Sequence, residues 1–299
     1  MSLVVRRLAS DEVAWFIREA LAFAGHADPG GLALRLQRRL KDPAQDADAS
    51  FVLLDAGRAT AGAHVRVVSR PDAARVVSFG SVWHAPEAPE ALALLVAELL
   101  RREPHEGAQL PLHLFAEERC AALAALLAPL GFERQVVTRL RFELSEVPPL
   151  GAPLVLEAYR QEDERAFREL YRRCEGSAAS DARWAYLKRR SGPFRPDLWF
   201  MARETLDQGP VGYAFCGGAA RGVDAAYHLD GAGVLQALRH DSEMLRRVLL
   251  SLLHELSGAS PLGTVETALL ADDPKLIDIL ASLGFEVLER LPLLAKAPA

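Results

Sequence analysis

Cysteine is scarce in this 299-residue chain: Cys120, Cys174 and Cys216 lie far apart and are odd in number. That set excludes a disulfide framework and suits reduced, mostly buried thiols. Histidine is thin as well. Its eight residues are dispersed, with no HExxH pair and no Cys/His cluster, so no metal is expected. A basic excess is missing: 35 Lys and Arg against 40 Asp and Glu leave a net charge of −5, which removes the bulk attraction to nucleic acid or anionic membrane. No apolar run approaches the roughly 18 residues that cross a bilayer. The opening Met1-Ser2-Leu3-Val4-Val5-Arg6 lacks a secretory hydrophobic region. These absences predict a cytoplasmic protein with neither a membrane nor a nucleic-acid partner.

What is abundant is apolar surface, and it is arranged twice. Half of the residues are hydrophobic, enough for two cores of ordinary domain size. Leu130-Gly131-Phe132-Glu133 recurs as Leu283-Gly284-Phe285-Glu286, a shift of 153. The same shift sets Glu90 on Glu243, Leu92 on Leu245, Leu99-Leu100 on Leu252-Leu253 and Leu123 on Leu276. Earlier in each half the shift is 151, and it sets Leu36-Gln37-Arg38-Arg39 against Leu187-Lys188-Arg189-Arg190. Single matches are cheap in a chain rich in Leu and Ala. An ordered series with two small length changes indicates an internal duplication of a domain of about 150 residues. The expected domains are residues 1–145 and 154–299. Between them runs a linker, residues 146–153, in which Pro148, Pro149, Gly151 and Pro153 stop any helix or central strand.

Each half reads in one order. A strand (Leu3 to Leu8; Leu154 to Tyr159) leads to a helix with Phe16, Ile17 and Leu21, or Phe167, Leu170 and Tyr171, at helical spacing. A second helix holds Leu32, Leu36 and Leu40, or Trp184 and Leu187. Two strands around a turn follow, Ser50 to Asp55 and Ala61 to Val68, or Leu198 to Arg203 and Pro210 to Gly217. A fourth strand is expected at Val76 to Trp83 and at Gly233 to Leu238, then the longest helix, Pro89 to Arg102 and Ser242 to Leu256. A strand (Leu110 to Phe115; Thr264 to Leu270), a short helix and a last strand close the unit. This order implies a mixed α/β sheet with helices on both faces.

That order resembles the GNAT (GCN5-related N-acetyltransferase) superfamily, here as two GNAT-like domains in tandem. Three features carry the resemblance. Gly62 and Gly212 follow the hairpin turn, with Pro210-Val211-Gly212-Tyr213-Ala214 the fuller copy; a strand and turn precede the long amphipathic helix; and Leu-Gly-Phe-Glu ends the last helix of each half. The resemblance implies acetyl-CoA as co-substrate and an amine, of a small molecule or a protein, as acceptor. It also implies a glycine-rich turn whose N–H groups, with the helix N-terminus, hold the cofactor pyrophosphate. A bulge in the fourth strand, a base for the amine and a tyrosine that protonates the departing thiolate complete the family pattern.

Both halves depart from it. The first-half turn, His84-Ala85-Pro86-Glu87-Ala88-Pro89, has no glycine, and its prolines lack N–H donors. Trp83 is large enough to fill a pantetheine channel, so this half is expected to be occluded and non-catalytic. In the second half, Arg239-His240-Asp241-Ser242-Glu243 has also lost the glycines, yet Arg239 and Ser242 remain as phosphate contacts. A cofactor there would run along the backbone of Val234, Leu235 and Gln236 to Arg239 and Ser242, with Asp272 on the opposite wall. His228 and Asp230 are the candidate bases. Leu127 and Leu280 occupy the tyrosine position and cannot donate a proton. The basic, aromatic stretch around Trp184, Lys188, Arg189 and Arg190 is read as a solvated helix face with Trp184 and Leu187 inward. Gly217, Gly218 and Gly222 lie in a hairpin and make no dinucleotide fingerprint. Two functions stay open: an acyl-CoA-dependent N-acyltransferase with its site in the second half, or a non-catalytic GNAT-fold binding module that has lost acetyl-CoA.

Overall fold

The computed structural model describes residues 3–25, 50–69, 75–102, 107–176, 181–188, 193–218, 222–270 and 274–296. It divides into two compact units, Met1–Val136 with Leu291–Ala299, and Val137–Arg290.

In the first unit β1 (Leu3–Arg7), β2 (Ser50–Asp55), β3 (Arg58–Ser69) and β4 (Arg75–His84) pair antiparallel in sequence. β5 (Ala108–Pro111) lies parallel to β4. The end of β12 (Glu286–Lys296) closes this sheet, Leu293–Lys296 pairing antiparallel with β5. Helices α1 (Val13–Ala24), α2 (Glu90–Arg102) and α3 (Glu117–Leu127) complete the core. In the second unit β7 (Val155–Ala158), β8 (Trp199–Arg203), β9 (Gly212–Gly217) and β10 (Ala226–Val234) repeat the antiparallel run, and β11 (Thr264–Leu270) is parallel to β10. Residues Val137–Glu143 of β6 (Phe132–Glu143) pair with all of β11. Helices α4 (Glu164–Glu175), α5 (Asp181–Leu187), α6 (Ser242–Ala259) and α7 (Pro274–Ser282) cover this sheet. No helix among the described residues is long and apolar enough to cross a membrane.

The strand order β1-β2-β3-β4-β5-β12 in one unit and β7-β8-β9-β10-β11-β6 in the other is a single order used twice, as a duplication requires. Local signals repeat too. α1 buries Phe16, Ile17, Ala20 and Phe23, and ends at Gly25 with φ +69°. α4 buries Phe167, Leu170, Tyr171 and Cys174, and ends at Gly176 with φ +81°. A left-handed residue after a helix is one that glycine adopts without a Cβ penalty.

Three expectations differ from the structure. The compact units do not follow residues 1–145 and 154–299, because each half gives its last strand to the other unit. Duplication makes the two receiving edges alike, so the sequence of a last strand does not name the copy it joins. The fourth strand of the second half is Ala226–Val234, and Gln236–Leu238 is a 3-10 turn rather than strand. Gly231, Gly233 and a bulge hide its period-two pattern. The fifth strand of the first half stops at Pro111, with Leu112–Leu114 a 3-10 turn. Trp184 and Leu187 do pack inward. The second helix of the first half, Arg189, Arg190 and Asp272 lie outside the described residues.

The second sheet has two differently filled faces. Ala214, Cys216, Leu229 and Val234 meet Val248, Leu249 and Leu252 of α6 in an aliphatic core. On the other face Trp199, Met201, Tyr213 and Phe215 meet Phe167 and Tyr171 of α4 and Trp184 of α5. Trp199 stacks on Phe215 with ring centroids 4.0 Å apart.

Candidate functional site

The site begins with a break in strand pairing. β10 slips against β9 between Leu229 and Gly231, which makes Asp230 an extra, bulged residue. β10 and β11 pair only through Ala226, Tyr227 and His228, opposite Thr264, Val265 and Glu266. Past that rung β10 stays with β9 as far as Val234, and β11 stays with β6 as far as Leu270. The two parallel strands therefore fork, and Thr267 Oγ1 bonds Leu229 O at 3.0 Å just beyond the last rung.

His228 and Asp230 stand at the fork. Nδ1 of His228 is buried and lies 3.2 Å from Asp230 Oδ1; the Asp230 side chain is 3% exposed and that of His228 36%. The contact has ion-pair distance without hydrogen-bond alignment, so Asp230 acts on the ring as a neighbouring charge. With a buried carboxylate on the Nδ1 side, Nε2 is the ring nitrogen not committed to that contact. Thiol chemistry is disfavoured nearby. Burial pushes Cys174 up to about 12 and Cys216 higher still, so neither forms a thiolate near neutrality.

The predicted cofactor residues separate into two places. The backbone N–H of Leu235 donates to Val211 O, and the 3-10 turn uses the carbonyls of Leu235 and Gln236. Leu235 and Gln236 line a 310 Å³ hollow with Arg172, Arg173 and Gly176. The Arg239 guanidinium donates to Cys174 O at the end of α4 and lies 3.6 Å from Glu175. Glu175 also accepts from Tyr213 Oη at 2.7 Å, and burial holds that phenol well above its usual range.

Ser242 opens α6, but its cap is Asp241, whose Oδ1 accepts from Glu243 N at 2.9 Å and Met244 N at 3.3 Å. Ser242 lines a second hollow, of 510 Å³, with His240, Arg246, Lys275 and Asp278. Lys275, Arg246 and Glu266 were not singled out from sequence. They are ordinary helix-face and strand-face residues there, and only the folding of α7 beside α6 gathers the first two. Asp272 cannot be placed, lying outside the described residues. Among the described residues no group of three or more His, Cys, Asp or Glu side chains is arranged to hold a metal ion.

The first unit has the same fork. Val77 and Ser78 pair with Ala108 and Gln109, and Gly80 is the bulged residue. Trp83 is 3% exposed and packs edge-on against Trp15 and Phe16 of α1.

No family model matches the chain, and no curated protein matches its sequence. Solved structures do resemble it. One is a GCN5-related N-acetyltransferase from Sphaerobacter thermophilus, at 18% identity and TM-score 0.54, over 99% of this chain and 95% of that one. Another is a GCN5-related glucosamine N-acetyltransferase region in a fungal multi-domain GH3 beta-N-acetylglucosaminidase. It matches at 12% identity and TM-score 0.60, over 98% of this chain and 38% of that one. A third, a functionally unknown conserved protein from Staphylococcus epidermidis ATCC 12228, matches at 13% identity and TM-score 0.51, over 79% and 91%. At such identities the likeness is one of fold. This chain has the GCN5-related N-acetyltransferase fold, built twice.

Proposed function

We propose, from the premise of a GNAT fold used twice, that the second unit is an acyl-CoA-dependent N-acyltransferase and the first a non-catalytic copy. The observation that carries this reading is the fork of β10 and β11 after His228, with a bulged Asp230 and a partly exposed imidazole at its head. Past the fork the β11-facing edge of β10 is available to a pantetheine arm. The hollow at the start of α6 offers the phosphates His240, Arg246 and Lys275, set among Asp241, Glu243 and Asp278.

The chemistry is one acyl transfer. The neutral amine attacks the thioester carbonyl carbon; the C–N bond forms, the C–S bond breaks and the electron pair leaves on sulfur. The proton lost by nitrogen passes to His228 Nε2. The thiolate takes its proton from water, since Leu280, buried on α7, cannot supply one.

A second reading, a binding module that has lost the cofactor, has its own observation. The Asp241 carboxylate occupies two N–H donors that a phosphate would use, and Met244 and Leu238 pack into the aliphatic core. Calorimetric titration of the full chain with acetyl-CoA separates the two. Saturable binding supports the enzyme, whereas no heat at millimolar cofactor leaves the module.

A further inference from the structure

The face of the second sheet that carries His228 is covered by α4 and α5 over Trp199, Met201, Tyr213 and Phe215. Beyond them it carries His228 and Glu266, with Arg139, Arg141 and Glu143 of β6. Glu266 is the partner of His228 in the last β10–β11 rung. Paired residues on neighbouring strands, about 4.8 Å apart, present their side chains on one face, so Glu266 stands beside the imidazole at the mouth of the fork. Its side chain is 33% exposed, and Oε2 is held 3.2 Å from Arg139 Nη2. Arg139 is held in turn by Glu289.

Two carboxylates, Glu266 and Glu289, thus share one guanidinium, Arg139. Arg141, the β6 partner of Glu266, is itself paired with Glu143 at 2.9 Å. An acceptor entering at the fork therefore meets a set with one carboxylate more than guanidinium, Glu266 and Glu289 on Arg139. In the first unit the same rung is Ser78 and Gln109, which bond each other at 3.3 Å and carry no charge. The charge is therefore peculiar to the unit with the histidine, not a requirement of the fold.

We infer that Glu266 anchors the acceptor, and that the acceptor is an aliphatic amine bearing a second positive charge and no carboxylate near its reacting nitrogen. This rests on the enzymatic reading above. Glu266 binds the second ammonium, Arg139 fixes the carboxylate's position, and His228 takes the proton of the reacting amine. A carboxylate on the acceptor would meet Glu266 and be turned away.

The test is steady-state acetyl-CoA turnover with 1,3-diaminopropane, propylamine and glycine as acceptors. The diamine is expected to exceed propylamine at least about 10-fold in kcat/KM, with glycine inactive. Glu266→Gln, nearly isosteric, should raise the diamine KM by about 10- to 100-fold while leaving kcat and the acetyl-CoA Kd unchanged, with Glu266→Asp restoring part of the loss. An unchanged diamine KM in Glu266→Gln, or a preference for glycine, overturns the inference even if acetyl-CoA binds and turns over. If acetyl-CoA does not bind, the enzymatic reading fails by itself. NMR titration of the diamine then decides the anchor: weaker binding to Glu266→Gln keeps it, and equal Kd values remove it.

Discussion

Aligned on their bulges, Gly80 and Asp230, the two units solve one packing problem in opposite ways. In the first, β3 gives Gly62 and β4 gives Trp83 across from it; in the second, β9 gives Tyr213 and β10 gives Gly233. A Cβ at Gly62 would lie 2.2 Å from Trp83 Nε1, and one at Gly233 would lie 2.7 Å from Tyr213 Cε1. The space under the first helix is filled either way, but from different strands. Bulk on β4 puts an indole at the lip of the first fork. Bulk on β9 leaves β10 with Gly231 and Gly233 along the second fork, beneath the ring of Tyr213. The rungs differ too: Ser78, Gly80 and Gln109 in the first unit correspond to His228, Asp230 and Glu266 in the second.

The largest effect expected from this contrast is on turnover. His228→Ala should reduce acetyl transfer about 10²- to 10⁴-fold, the usual range for a general base, while Ser78→Ala leaves it unchanged. Thiol release from acetyl-CoA measures both. A loss confined to Ser78→Ala would move the chemistry to the first unit and reverse the assignment of roles.

Next comes the reciprocal fit. Gly62→Ala and Gly233→Ala should each destabilise by about 1–3 kcal/mol, since an aromatic ring must give way in a packed interior. Trp83→Ala and Tyr213→Ala, costly by themselves at about 3–5 kcal/mol, should make the matching glycine substitution less costly, with Phe16 still 2.8 Å from a Cβ at Gly62. Denaturant melts of both double-mutant cycles check this; coupling of about 0.5–3 kcal/mol in each is expected. Additive changes would mean that the glycines are not kept small by those rings.

How far the sequence could be read follows from the same residues. Strand order, helix faces and duplication were legible because burial repeats with period: Phe16 and Phe167, or the Leu-rich faces of α2 and α6. The exchange of last strands was not, because Phe132 and Phe285 follow the same Gly-Phe signal and both receiving edges suit either strand. Register was off by a residue for the same reason. Gly62 and Gly212 look equivalent in sequence, yet strand pairing puts Gly62 at the place of Tyr213 and Ala61 at that of Gly212. His228 and Asp230 could be named together as candidate bases because they lie two residues apart in sequence. Glu266 could not be set beside them, because a parallel rung brings together residues far apart in sequence. Arg239 was expected at a phosphate and instead bonds the end of α4, a contact that needs the tertiary fold to be visible.

The smallest effect expected decides the most about the cofactor. Asp241 caps α6, and Asp241→Ala should lower stability by about 1 kcal/mol, as the loss of an N-cap usually does. The same substitution frees the N–H groups of Glu243 and Met244 and removes a negative charge from the hollow that holds His240, Arg246 and Lys275. If acyl-CoA phosphates settle at this helix end, the carboxylate competes with them, and the substituted protein should bind acetyl-CoA several-fold more tightly despite melting earlier. The first unit supplies the control. Glu87, ion-paired to Arg58 at the surface, lies in a turn whose prolines lack donors, so Glu87→Ala should leave the acetyl-CoA Kd alone. A lower Tm with an unchanged Kd in Asp241→Ala would show the aspartate to be a cap alone, and would place any cofactor phosphate away from the start of α6.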